Sequence, residues 1–184
     1  IRRRSVERKV PVDALYMAFH MCNRFHAEYH VFDIITDLLS NGRSSRFIQT
    51  LVQEKKLFTS IDAYISGSLD EGLLHITGKP ASGITLEQAE EAVWQELDKL
   101  KTIPVAEEEL EKVKNRYESE QIFNNINYLN VATNLAFFEL LGHAEDINLE
   151  VGKYRSVTVG QIQDTACRTF VPENCNILYY KAIK

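Results

Sequence analysis

The hydrophobic residues of this chain change period along its length, and that change constrains the fold more than any single motif. From Val12 to His20 they alternate with a period of two around Leu15, Met17 and Phe19, as side chains do on the two faces of a strand. From Glu28 the period becomes 3.6, with Phe32, Ile35, Leu38 and Leu39 on one helical face until Asn41 and Gly42 stop it. Phe47, Ile48, Leu51 and Val52 predict a second helix, for which Ser44 and Ser45 offer N-caps. Residues 57–67 and 71–79 are rich in Ile, Tyr, Thr and Phe. The turn residues between them, Ser68 to Gly72, predict a hairpin.

Helical signals follow the hairpin. Thr85 with Gln88 forms a capping box, and the stripe Ala89, Val93, Trp94, Leu97 and Leu100 runs until Pro104 prevents continuation. A long helix opens near Ala106 and carries Leu110, Val113, Tyr117 and Ile122. Asn124, Asn125 and Asn127 predict a break, and the stripe resumes through Val131, Leu135, Phe138 and Leu141 to Gly142. Thr158 with Gln161 is a second capping box, and a final strand spans residues 176–183. The run Arg2 to Val10 is expected to pair with the 12–20 strand or to lead into it. Adjacent strands mixed with single ones indicate an α+β fold, an antiparallel or mixed sheet covered on one face by helices. A length of 184 residues fits a single domain, 1–184. Because the chain begins with Ile and its first Met is Met17, it is expected to be a fragment of a longer chain.

The charge excludes a function class. With 21 basic against 26 acidic residues the net charge is −5, so nothing attracts nucleic acid. The one basic cluster, Arg2, Arg3, Arg4, Arg8 and Lys9, reads as a strand edge or a tail. Apolar runs such as 14–19 and 131–141 are too short or too interrupted to span a bilayer, so a soluble protein is expected, of the cytoplasm or a bacterial periplasm, between which the sequence does not choose. Cys22, Cys167 and Cys175 are expected to be small buried core residues and not a disulfide framework.

Chemistry is sparse. Zinc hydrolysis on a helix requires two His one turn apart with a Glu aimed at the bound water, as in H-E-x-x-H or H-x-x-E-H. The nearest approach is His26, Glu28 and His30, where Glu28 is two residues from each His and so roughly 200° around the helix from both. These residues are expected to be partly exposed at a helix N-terminus, with no metal. His20, His75 and His143 show no sign of converging. Neither G-x-S-x-G, a P-loop nor G-x-G-x-x-G occurs, and the loop Asn41–Arg46 reads as a connection between helices rather than an anion site.

The segment His26 to Phe47, HAEYHVFDIITDLLSNGRSSRF, resembles the signature of the insulinase (pitrilysin-type) zinc metallopeptidase family, a helix after "hpD" followed by "LgxGxSSRL". The Val10-Pro11-Val12 strand entry, the passage from Leu51 to Ile61, the opening of the long helix at Glu108 to Lys114, and the ending from Val157 to Asn174 are similar in the same order, over essentially the whole chain. The resemblance implies α+β units that close around unfolded peptides, with the zinc motif in the first unit of a pair. This chain resembles the second, C-terminal unit. No catalytic residue and no metal ligand is then expected in it, and zinc is implied for the parent protein or a partner domain.

Relatives carry in this unit an Arg and, seven residues on, a Tyr that contact the substrate backbone, in a run like "LREKRGLAY". The corresponding run here is Leu51 to Thr59, with Val52 at the Arg position and Thr59 at the Tyr position. Val52 cannot donate a hydrogen bond and Thr59 cannot reach as far as a phenol, so that assistance is expected to be absent. The resemblance therefore implies the metal-free C-terminal domain of a zinc metalloendopeptidase, forming part of a peptide-substrate chamber and inactive alone. Its partners would be a zinc-carrying N-terminal domain or partner subunit, and unfolded peptide. The alternative is a non-catalytic assembly or scaffold subunit of a peptidase-like complex.

Overall fold

The computed structural model describes residues 1–67 and 69–183. Five strands, β1 (Arg2–Arg8), β2 (Ala14–Met21), β3 (Phe58–Ile65), β4 (Gly72–Pro80) and β5 (Cys175–Ala182), form one sheet in the order β1-β5-β2-β4-β3. β1 runs parallel to β5 and every other pairing is antiparallel, so the sheet is mixed and the expected α+β class holds. The expected partner of β1 is corrected. Both sides of β2 are taken, by β4 and β5, so the first strand of the chain pairs instead with the last, Arg4 opposite Leu178.

Among the described residues there are six α-helices, α1 (Tyr29–Ser40), α2 (Leu86–Thr102), α3 (Glu107–Asn124), α4 (Tyr128–Leu141), α5 (Glu150–Arg155) and α6 (Val159–Thr169); five of them follow the sequence pattern, and α5 is one that the pattern did not indicate. Both capping boxes form. Thr85 accepts from Gln88 N–H and Thr158 from Gln161 N–H, while each Gln side chain returns to the backbone N–H of its Thr. The break between α3 and α4 falls on the expected asparagines, and Asn127 accepts from Leu129 N–H as the cap of α4.

Three local expectations are revised. The second helix is a π-helix, Ile48–Glu54, ending with Lys55 N–H bonded to Thr50 O five residues back. Its wide winding ends at Lys56, which takes φ +52°, and Leu57 N–H reaches back to Leu51 O to start β3. Ser45 does not cap it; its hydroxyl donates to Gly42 O and closes the preceding turn. Of the cysteines Cys175 is buried, but Cys22 is only partly so and Cys167 is exposed on α6. In the β3–β4 hairpin Ser66 N–H donates to Leu73 O and Leu73 N–H to Ser66 Oγ; Ser68, one of the predicted turn residues, lies outside the described residues.

One face of the sheet is covered. Leu15, Met17, Phe19 and Met21 of β2, Leu74 and Ile76 of β4 and Ile177 of β5 point inward, α1 packs beside β3, and α2 and α6 pack on β2. Phe19 sits at the centre, edge-on to Trp94 at 5.6 Å and to Phe170 at 5.2 Å. The other face leaves Tyr16 and Tyr64 exposed. Among the described residues no helix is long and apolar enough to cross a membrane.

Candidate functional site

The period-3.6 signal of α1 sets the geometry of the only histidine-rich segment. Helical winding begins at Tyr29, so His26 stands outside the helix in a turn, exposed, with Nδ1 accepting from Glu28 N–H at 3.2 Å. His30 is inside the first turn and is buried, not partly exposed as expected. Glu28 ion-pairs with Arg168 of α6 at 2.5 Å through one carboxylate oxygen, and its other oxygen lies 3.9 Å from His26 Nδ1. His26 and His30 border one cleft while the Glu28 carboxylate is held by Arg168, so the three do not converge on a single point.

His30 is instead one part of a buried polar cluster that the sequence pattern does not announce. Its Nε2 lies 3.3 Å from Oε2 of Glu150, at the start of α5; a carboxylate only accepts, so Nε2 carries the proton. The same carboxylate accepts from Arg24 Nη2 and Lys153 Nζ, each at 2.7 Å. Burial by itself would raise the Glu150 carboxyl. Hydrogen bonds from His30 and Lys153 and the charge of Arg24 outweigh it and hold the group down at about 2. Arg24 also lies over the Tyr29 ring at 4.3 Å. Beside the cluster Tyr154 donates to Asp33 Oδ2 at 2.5 Å, stands edge-on to His30 at 4.9 Å and stacks on Tyr117 at 3.5 Å. Burial pushes the Tyr154 hydroxyl up, as does the neighbouring Asp33, so it remains a donor. The signal that could have marked Glu150 is local: Lys153 and Tyr154 follow it at i+3 and i+4, one face of a short helix.

A cleft of about 390 Å³ opens at this cluster, between Arg24, His26, His30 and Lys153 on the polar side and Phe138 and Leu141 on the apolar side. Its donors do not suit zinc. The one buried imidazole is committed to a carboxylate that two cations already neutralise, and those cations would repel a divalent ion. Among the described residues no three His, Cys, Asp or Glu are grouped to hold a metal ion.

The residues at the Arg and Tyr positions of the family run lie elsewhere. Val52 is half-buried against the core on the π-helix, and Thr59 opens β3 with its hydroxyl donating to Lys79 O at 3.1 Å. Neither is part of the cleft. The Asn41–Arg46 loop is closed onto α3 by Arg116, which donates to Asn41 O, and by the Arg46–Glu109 pair at 2.8 Å.

Comparison with known proteins identifies the family and the fold. The sequence profile of the peptidase M16 inactive domain matches residues 2–117. A protease from Helicobacter pylori shares the fold with a TM-score of 0.91 at 19% identity, over 97% of this chain and 44% of that one. The inactive peptidase domain of a candidate zinc protease from Bordetella parapertussis gives 0.85 at 18% identity, over 97% of both chains. A peptidase M16 inactive domain from Pseudomonas fluorescens gives 0.82 at 12% identity, over 100% of this chain and 44% of that one. The chain thus spans less than half the length of the Helicobacter and Pseudomonas chains. No curated protein matches the sequence.

Proposed function

We propose, since this chain belongs to the peptidase M16 family as its inactive domain, that it is the metal-free C-terminal half of a zinc endopeptidase and walls part of the chamber that receives unfolded peptide. Residues 1–184 then act as one domain of a longer protein, inert alone, and the zinc belongs to an accompanying N-terminal domain or partner subunit. The observation that carries this reading is the start of α1, where His26 stands off the helix and His30 is locked to Glu150. Val52 and Thr59 supply no guanidinium or phenol to a bound peptide, so in this unit the peptide is held by backbone pairing along a sheet edge, a mode that tolerates many sequences. Of the two edges, β3 is occupied at Ala63 by the Ser40 hydroxyl, which favours β1.

The same Val52 and Thr59 favour a second reading, a non-catalytic scaffold subunit that never meets peptide. The two are separated by locating the zinc motif H-x-x-E-H in the parent gene or its neighbour, then mixing that gene product with this chain. The first reading expects no stoichiometric zinc in this chain, no cleavage of a casein-derived peptide by it alone, and cleavage by the two together. About one zinc per chain, lost on His26→Ala or His30→Ala, sinks both readings; a mixture that cleaves no faster than the zinc-carrying product alone sinks the first.

A further inference from the structure

The ten arginines of the chain divide by partner. Arg3, Arg24, Arg46, Arg116, Arg155 and Arg168 each hold a carboxylate. Among the described residues Arg2, Arg4, Arg8 and Arg43 hold none, and three of these four lie on β1. Side chains alternate along a strand, so Arg2, Arg4, Val6 and Arg8 share one face of the sheet. It is the face that the helices leave open, because Arg3, between them, reaches Glu90 of α2 on the covered side. Arg4 stands opposite Leu178 and then Tyr16, and Arg2 opposite Asn176 and then Ala18, so the next two strands bring neither of them an acid. The backbone alternates as well. Ile183 N–H donates to Arg8 O, which turns the even-numbered residues of β1 toward β5 and the odd-numbered ones toward the free edge. There the Arg8 guanidinium takes Glu7 O at 2.9 Å, and Arg3 and Ser5 each keep an N–H and a C=O for a further strand. This edge is also held still. Arg3 grips the buried Glu90 through Nε at 3.1 Å and Nη2 at 2.7 Å, and the same carboxylate accepts from Tyr179 Oη at 2.6 Å and Trp94 Nε1 at 3.2 Å.

We propose that the free edge of β1 selects extended peptides that carry acidic side chains two residues apart. The inference rests on the reading that peptide pairs along β1, and it gives that peptide a chemical class. A strand bonded to Arg3 and Ser5 sets its own alternate side chains on the open face, opposite Arg2, Arg4 and Val6, with Cβ atoms about 5 Å apart. Carboxylates at the first two positions meet guanidinium groups that have no other acid to hold, and each can form a charge-assisted pair. The third position lies beside Val6 and Tyr180, and an apolar side chain packs there. Glu7, the one acid of β1, falls on the other face and opposes neither carboxylate. The same arginines act against the wrong partner. Two copies of this chain meeting edge to edge at β1 would bring arginine against arginine, so the charge that admits an acidic strand refuses a second β1. Pinning by Glu90 lowers the ordering cost of pairing, since the strand that receives the peptide is already fixed.

Fluorescence anisotropy of short labelled peptides with the 184-residue protein, at concentrations up to about 0.5 mM, tests it. The peptides share one sequence and carry Glu, Gln or Lys at two positions two apart. The Glu peptide is expected to bind about tenfold tighter than the Gln peptide, and the Lys peptide more weakly than either. Raising NaCl from about 0.02 to about 0.5 M should shrink that advantage. In the double variant Arg2→Gln, Arg4→Gln the Glu and Gln peptides bind alike. Arg43→Gln, which removes the unpaired arginine outside β1, keeps the preference. All three arginines are exposed, and circular dichroism checks that the variants stay folded. A Glu peptide N-methylated at the residues that bond to β1 is expected to lose binding. Equal binding of the three peptides, or a preference that survives the double variant, overturns the selectivity and leaves the edge reading standing. No binding by any of the three, or full binding by the N-methylated peptide, overturns the edge reading itself and the selectivity with it.

Discussion

His30 and Glu150, 120 positions apart, meet with Nε2 3.3 Å from Oε2, and that contact ties the first turn of α1 to the first turn of α5. Both side chains are nearly sealed from water, and Arg24 depends on the same carboxylate. Removing the carboxylate leaves a guanidinium without its partner, so Glu150→Ala is expected to cost about 3 kcal/mol, and His30→Ala somewhat less because it removes a donor and leaves the other two. Urea unfolding of the two single variants and the double variant gives the coupling energy. A double variant whose loss equals the sum of the singles would show that the two residues act separately.

Acid should reveal the same cluster. The Glu150 carboxyl lies at about 2 in the folded protein against an ordinary 4.5, so as pH falls the unfolded chain takes up the proton first. The stabilisation is complete above about pH 4.5 and is lost progressively between there and pH 2. In Glu150→Gln this part of the pH dependence disappears, and stability falls less steeply over that window than in the wild type. Urea midpoints collected from pH 2 to pH 6 measure the two slopes; equal slopes would contradict the assignment.

Lys56 holds a left-handed backbone conformation, φ +52°, at the position where the family run "LREKRGLAY" has Gly. A side chain in that region costs roughly 1 kcal/mol that glycine does not incur, against a smaller entropic cost of glycine in the unfolded chain. Lys56→Gly is therefore expected to stabilise the protein by up to about 1 kcal/mol. A raised urea midpoint with an unchanged slope is the readout, and a lowered midpoint would count against strain at this turn.

How much of this was legible in the sequence depended on the range of the interactions. Thr85–Gln88 and Thr158–Gln161 could be read directly because a capping box closes within four residues, and the break at Asn124 to Asn127 for the same reason. The parallel pairing of Arg4 with Leu178 could not, since period two says that a segment is a strand without saying which strand is its neighbour. His30 was noticed for the wrong partner. His26 precedes the helix, as its position before Glu28 suggests, and the group that engages His30 comes from a segment of weak periodicity, the short α5. The π-helix escaped notice because Phe47 and Leu51, four apart, fit a 3.6 period as well as a wider one.

Ser40 closes an edge of the sheet. Its hydroxyl oxygen accepts from Ala63 N–H at 2.9 Å and lies 3.1 Å from Ala63 O and 2.8 Å from Asp62 Oδ1, so its single proton serves one of those acceptors at a time. Ala63 is on β3, an outer strand, and its backbone groups would otherwise face outward ready to pair with another chain. Ser40 is buried at the last position of α1, so the helix that covers the core also satisfies the strand beside it. Ser40→Ala removes both roles and leaves the Ala63 N–H only its 3.0 Å bond to Asp62 Oδ1, at an expected cost of about 0.5–1.5 kcal/mol. Hydrogen exchange separates this from a general loosening. The Ala63 amide should exchange at least tenfold faster in the variant, while the amides of β2 at the sheet centre slow or quicken only with global stability. Equal acceleration at Ala63 and at Met17 would show that Ser40 supports the whole fold instead of guarding its edge.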